Sequence, residues 1–252
     1  MTAPPRRPAT DQDLMLWIMH RFGEVFAQHA ILKGGMALRL FDCPRSTTDI
    51  DYVFVPFDSK KDVAEDVERT LRELEDAQVE VTLNSKVLRA TVALDEARVQ
   101  VEVSVSKSCP SEPMPTAAFA AEQGQPSNVV RVMQKSLALA HKLAAWNERR
   151  LHRDLFDVYF LRTRMGAKLD RATLEERLRG IKSRIPALGK IKSMTPGRFA
   201  GELRTAAENL DATALQAELQ PLLPEGELVG LAPRLRGALI AIAEELESEP
   251  TL

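Results

Sequence analysis

The sequence predicts an α+β chain, with a strand-bearing N-terminal lobe followed by a helical C-terminal lobe. Three observations predict it: short β-branched runs lie between residues 49 and 106, a proline-rich break spans 108–127, and only helical periodicity follows. The break sets the expected division at 1–120 and 121–252, and 252 residues suit one or two domains of about 150 residues each.

Leu14, Ile18, Phe22, Val25 and Phe26 recur at helical spacing, so 11–29 reads as an amphipathic helix. A short apolar piece then runs into Gly34-Gly35, and Met36, Leu38, Leu40 and Phe41 continue as a helix. CPRSTT is a turn, and DIDYVFV, β-branched and aromatic, is a strand. Residues 59–76 form a charged helix with Val63, Val67, Leu71 and Leu74 as its buried stripe. VEVTL, KVLRATVAL and RVQVEVSVS are strands; in the last, Val99, Val101, Val103 and Val105 alternate with Gln100, Glu102 and Ser104. Beyond the break, helices are expected near 128–148, 152–165, 171–183, 196–209 and 231–248.

Hydrophobic residues make up 44% of the chain, enough for a sizeable core, and 28% is charged. Aromatic residues are 5%, too few for the stacking platforms of single-strand binders. No run of about 18 apolar residues exists, so no membrane span is expected. The basic start lacks the apolar stretch of a secretory signal. Cys43 and Cys109 stand far apart, without CxxC spacing or a histidine cluster, which argues against structural zinc and for a reducing cytoplasm. The net charge of -2 hides an asymmetry: 131–198 holds 17 Lys/Arg against 6 Asp/Glu, which leaves about -13 for the rest of the chain. Such a segment is either a set of solvated helix faces or a polyanion-binding surface, and charge alone leaves both open.

Asp49 and Asp51 are one residue apart on a strand, so alternation puts both carboxylates on one face. Like charges so placed need water or a cation between them. Magnesium takes oxygen ligands, commonly one or two carboxylates plus substrate phosphates. Glu102, on the polar face of an otherwise valine-lined strand, is the candidate third carboxylate for a two-metal site. A solvent-facing Asp-x-Asp on an edge strand is the ordinary alternative. Gly34-Gly35 would let backbone amides approach phosphate closely, although a plain tight turn uses the same pair. Lys33 precedes the glycines, Arg39 follows, and Arg45 and Thr47 lead into the carboxylates.

KGGMALRLFDCPRSTTDID resembles the signature of the AbiEii-type nucleotidyltransferase toxins (the MenT-like toxins), members of the DNA polymerase β-like superfamily. A second block, KLAAWNERRLHRDLFDVYFL, is similar to that family's downstream helical motif through Lys142, Arg149, Arg153, Asp154 and Asp157. The resemblance covers roughly 30–165 and implies a polymerase β-like nucleotidyltransferase lobe with a small mixed sheet, then a helical lobe. It implies that Asp49 and Asp51 bind two magnesium ions, or manganese, that hold the NTP, with Glu102 as third ligand or base. Lys33, Gly34, Gly35, Arg39, Arg45 and Thr47 would surround the triphosphate. Lys142 would reach the triphosphate, with Arg149 as a second cation. Asp154 would hold Lys142 or Arg149, or contact the nucleotide. Met36 departs from the small or hydroxyl residues common there, which puts the choice of base in doubt.

The function implied is that of a toxin–antitoxin nucleotidyltransferase: NMP passes from an NTP to an acceptor hydroxyl and pyrophosphate is released. The resemblance favours the tRNA 3′ end as acceptor and a cognate antitoxin as partner. NMPylation of a protein hydroxyl and an inactive nucleotide-binding regulator are the alternatives. A metal-dependent nuclease would need neither the glycine pair nor the distal lysine.

Overall fold

The structure is a computed structural model that describes residues 7–84, 87–183, 185–186 and 188–248. It divides into two compact units, 1–134 and 135–252.

The first unit is built on a mixed seven-stranded sheet in the order β3-β4-β5-β2-β1-β7-β6. Helix α1 (Asp11–Phe26) opens with Thr10, whose side chain accepts the Asp13 amide, and with two acidic residues that suit the positive end of a helix. One 3-10 turn, Ala27–His29, finishes the expected helical stretch and leads to β1 (Ala30–Lys33) and α2 (Gly34–Leu40). Strand β2 (Asp49–Phe54) pairs antiparallel with β1. Helix α3 (Lys61–Leu71) then crosses to β3 (Gln78–Leu83), β4 (Leu88–Leu94) and β5 (Ala97–Val105), and β5 returns to lie parallel beside β2. Lys86, at the head of the expected KVLRATVAL strand, lies outside the described residues.

Alternation divides this sheet into two faces. Ile50, Tyr52 and Phe54 of β2 and Val99, Val101 and Val103 of β5 are buried on one of them. There Phe22 of α1 packs at 5.1 Å from the Tyr52 ring and 5.9 Å from that of Phe54. The other face carries Asp49, Asp51, Gln100, Glu102 and Arg89.

Two sequence expectations are corrected here. Residues 129–133, expected to begin a helix, form β7 (Val129–Met133), parallel to β1, and helix α5 (Lys135–Arg149) starts after it. The V-V-R-V-M run is β-branched and buries Val130 and Val132, a strand's period rather than a helix's. The proline-rich segment, expected as the break between lobes, holds β6 (Ser111–Pro115) and α4 (Ala117–Glu122) and belongs to the first unit, so the division falls at 134/135 instead of 120/121. Pro113 and Pro115 fit because β6 is the sheet's outermost strand, where a missing amide costs least.

The second unit is helical: α5, α6 (His152–Tyr159), α7 (Arg171–Leu178), α8 (Pro196–Glu208), α9 (Ala212–Leu219), α10 (Glu225–Leu228) and α11 (Leu231–Glu247). A π-helical stretch, Phe160–Arg164, prolongs α6. Helix α8 packs along α11, and Trp146 of α5 meets Phe199 of α8 with ring centroids 6.1 Å apart. No helix among the described residues is long and apolar enough to cross a membrane.

Candidate active site

In the first unit the functional side chains come together through sheet register. Lys33 of β1 pairs with Asp51 of β2, Asp51 with Glu102 of β5, and Glu102 with Arg89 of β4. Laterally paired residues share a face, so these four stand in one row, the two carboxylates in the middle flanked by a lysine on one side and an arginine on the other. Asp49 lies one pleat away on the same face, opposite Gln100.

The glycine pair is required by packing as well as by conformation. Gly34 has φ +71°, and a Cβ there would lie 2.1 Å from Asp51 Oδ2. A Cβ on Gly35 would lie 2.6 Å from Thr47 Oγ1 and 3.0 Å from an Arg45 guanidinium nitrogen. The turn into α2 therefore presses its backbone directly against the Asp51 carboxylate and the Arg45-x-Thr47 segment. Arg45 is buried, and its guanidinium donates to the Ser46 carbonyl at 3.0 Å. Lys33 caps α2, with its Nζ 3.9 Å from Asp51 Oδ1. Lys33 also lies within electrostatic reach of Cys109. Burial pushes that thiol up to about 11, against the pull of the lysine charge.

Glu102 is held by one oxygen. Arg89 donates to Oε1 at 3.1 and 2.6 Å and Gln100 donates to the same oxygen at 3.2 Å. Oε2 has no partner among the described residues. Among those residues no three His, Cys, Asp or Glu side chains gather into a metal-holding group. The expected set of Asp49, Asp51 and Glu102 shares one face of two adjacent strands without being drawn together, since Lys33 and Arg89 face two of its members. Asp49 and Asp51 alone offer an all-oxygen donor pair on an open face. That fits magnesium, which needs one or two carboxylates when phosphates complete the shell.

Arg39, expected near the triphosphate, instead donates to Glu122 of α4 at 2.7 Å and to the Cys43 carbonyl at 3.5 Å. Met36 is fully buried, which makes the departure at that position a matter of core packing.

The second unit holds its own cluster. Lys142 Nζ lies 2.5 Å from Asp157 Oδ2 and 4.0 Å from Asp154 Oδ1. Arg149 grips Asp154 in a two-pronged pair at 2.5 and 2.6 Å. Both carboxylates are fully buried, and each has a cation to offset the desolvation. Asp154 thus positions the two cations and, at zero exposure, cannot itself meet a nucleotide. The motif spacing explains the cluster: Lys142 and Arg149 are two turns apart on α5, and Asp154 and Asp157 one turn apart on α6.

Sequence reasoning passed over Arg89 and Gln100. The signal was present, because the two-residue turn Asp95-Glu96 sets Leu94 opposite Ala97, and counting back along that hairpin sets Arg89 opposite Glu102.

Residues 18–240 match the family model described as nucleotidyl transferase AbiEii toxin, Type IV TA system. The fold is similar to that of MenT4, a nucleotidyltransferase toxin from Mycobacterium tuberculosis H37Rv, with TM-score 0.62 and 16% identity over 94% of this chain and 85% of that one. It is similar also to JHP933 from Helicobacter pylori, with TM-score 0.52 and 17% identity over 94% and 92% of the two chains. No curated protein matches the chain in sequence.

Proposed function

The chain belongs to the AbiEii nucleotidyl transferase toxins of type IV toxin–antitoxin systems, and on that premise we propose that it transfers NMP from an NTP to the 3′-terminal hydroxyl of tRNA, with magnesium as its metal. The observation that carries this reading is the contact between the Gly34 backbone and the Asp51 carboxylate. It sets amides that suit phosphate beside carboxylates that suit a divalent cation.

The acceptor oxygen attacks the α-phosphorus. A P–O bond forms as the bond to the bridging oxygen breaks, pyrophosphate leaves with that electron pair, and the hydroxyl proton passes to Glu102. Two magnesium ions, or manganese in their place, would be held by Asp49 and Asp51 and would neutralise charge on the phosphates. Arg89 and Gln100 orient Glu102 through Oε1 and leave Oε2 to accept the proton. Lys33 and Arg45 flank the glycine turn as cations for the triphosphate, with Thr47 packed against it. Arg39 is committed to Glu122 and is not needed for this reading. Lys142 and Arg149 are the cations that the helical unit contributes, and Asp154 and Asp157 hold them in position. Positioning and charge stabilisation of this kind are what phosphoryl-type transfer chiefly demands.

The test is incubation with magnesium, total tRNA and each α-labelled NTP, with Asp51→Ala alongside. Label entering tRNA from one NTP and lost in the variant supports the reading. Label in a protein band moves the acceptor to protein. No label and no pyrophosphate overturns catalysis and leaves a nucleotide-binding regulator.

A further inference from the structure

The basic stretch 131–198 does not carry its charge evenly once folded. Arg150 pairs with Glu202, Arg162 with Glu245, Arg164 with Glu227, Arg171 with Glu175 and Arg177 with Glu148. Lys142 and Arg149 are taken by the buried aspartates. Of the ten that remain, Arg131, Lys135, Arg153 and Lys168 are scattered and the other six fall in one short stretch. From 179 to 198 the sequence has six Lys/Arg and no Asp or Glu. Of these, Arg179, Lys182, Lys190, Lys192 and Arg198 are exposed and none has a carboxylate partner among the described residues; Arg184 lies outside them.

This segment, the connection between α7 and α8, is tied at its base. The Met194 amide donates to the Leu178 carbonyl and the Ile181 amide to that of Lys192, while Ile181 and Met194 are themselves buried. Its first limb is strapped to α5: the Lys182 amide donates to Glu148 Oε1 at 3.3 Å and the Ser183 hydroxyl to the Glu148 carbonyl at 2.6 Å. Glu148 immediately precedes Arg149. The segment thus has tied ends and a packed base, and its described residues Arg179, Lys182, Lys190, Lys192 and Arg198 make it cationic.

We propose that the α7–α8 loop is the docking surface for the phosphate backbone of the RNA acceptor. The inference rests on the RNA acceptor proposed above and adds the surface that binds it. Seven cations of the stretch are committed to carboxylates, whereas a loop dense in lysines and arginines and without a carboxylate releases counterions when it meets a polyphosphate. The anchoring to Glu148 gives that loop a fixed place beside Arg149, so backbone contact and Arg149 belong to one rigid element. Lysine and arginine without interleaved aromatic residues grip the backbone and leave base sequence unread.

The experiment measures total tRNA binding over a range of salt for the full chain and for Lys182→Gln/Lys190→Gln/Lys192→Gln. These side chains are exposed, and NTP binding by each protein serves as the fold control. The expected result is at least about tenfold weaker tRNA binding by the variant and a salt slope smaller by about 2–3, with NTP binding unchanged. Equal affinity and slope in the two proteins overturns the loop assignment alone. Absence of tRNA binding by the unaltered protein overturns the RNA acceptor and this proposal together. Poly-glutamate that binds through the three lysines while tRNA does not would make the loop a protein-binding surface and overturn the proposal.

Discussion

Gly34 has a left-handed backbone, and the space its side chain would need is filled by Asp51. Gly34→Ala therefore meets both costs, the strained φ and the displaced carboxylate. It is expected to lose about 1–3 kcal/mol in a urea melt and most of its transferase activity. Tyr52 presents the opposite case. Its hydroxyl is buried without a partner among the described residues, and burial alone pushes its ionisation far upward. Tyr52→Phe removes an unsatisfied group at no loss of packing, so its thermal midpoint should equal or exceed that of the unaltered protein. For Arg89, whose guanidinium donates twice to Glu102 Oε1, the expectation concerns metal use. Arg89→Ala should raise the magnesium concentration for half-maximal activity by about tenfold, and Arg89→Lys should restore part of it. An unchanged metal requirement would reduce the pair to a surface ion bridge.

Helices α5 and α6 are joined by the Lys142–Asp157 and Arg149–Asp154 pairs, whose carboxylates are fully buried. Asp157→Ala strands Lys142 and should cost about 3 kcal/mol, read as a lower denaturation midpoint. Helix α1 carries a pH-dependent contact. His20 Nε2 lies 2.8 Å from Thr116 Oγ1, which already donates to the Asn128 carbonyl, so the imidazole is the donor. Burial, partly opposed by Glu24, lowers the pKa of His20 below the usual imidazole value of 6.5. The unfolded chain then binds the proton more readily than the folded one. Stability is fully present above the unfolded value and declines as pH falls through it toward the folded one. His20→Gln should flatten that limb of the stability–pH curve.

At the scale of the molecule, each compact unit carries its own charged cluster: carboxylates and glycines in the first, Lys142 and Arg149 on buried aspartates in the second. The first unit's proposed catalytic face is one side of a sheet that is secured on its other side by α1 and the valine face of β5. Metal removal should therefore stop transfer without unfolding the protein. With excess chelator, transferase activity is expected to vanish while the far-ultraviolet circular dichroism and thermal midpoint stay unchanged; a parallel loss of structure would mean that the cation is part of the fold.

The period-two run around Asp49-Ile50-Asp51 determined, before any tertiary contact, that two carboxylates share a face and that Ile50 is buried behind them. The two motif blocks likewise marked one strand–turn–helix unit and one pair of helices, and the structure has both. The sequence left hidden whatever depends on residues far apart in the chain. Edge position made a strand of a proline-rich segment that local composition reads as a linker. Sheet register set Arg89 against Glu102, and α4 took Arg39 for Glu122. Glu202, Glu227 and Glu245, distant in the chain, took Arg150, Arg164 and Arg162, and one loop kept the densest run of cations without a carboxylate. Ion pairing and burial are properties of neighbours in space, and only the folded chain decides who those neighbours are.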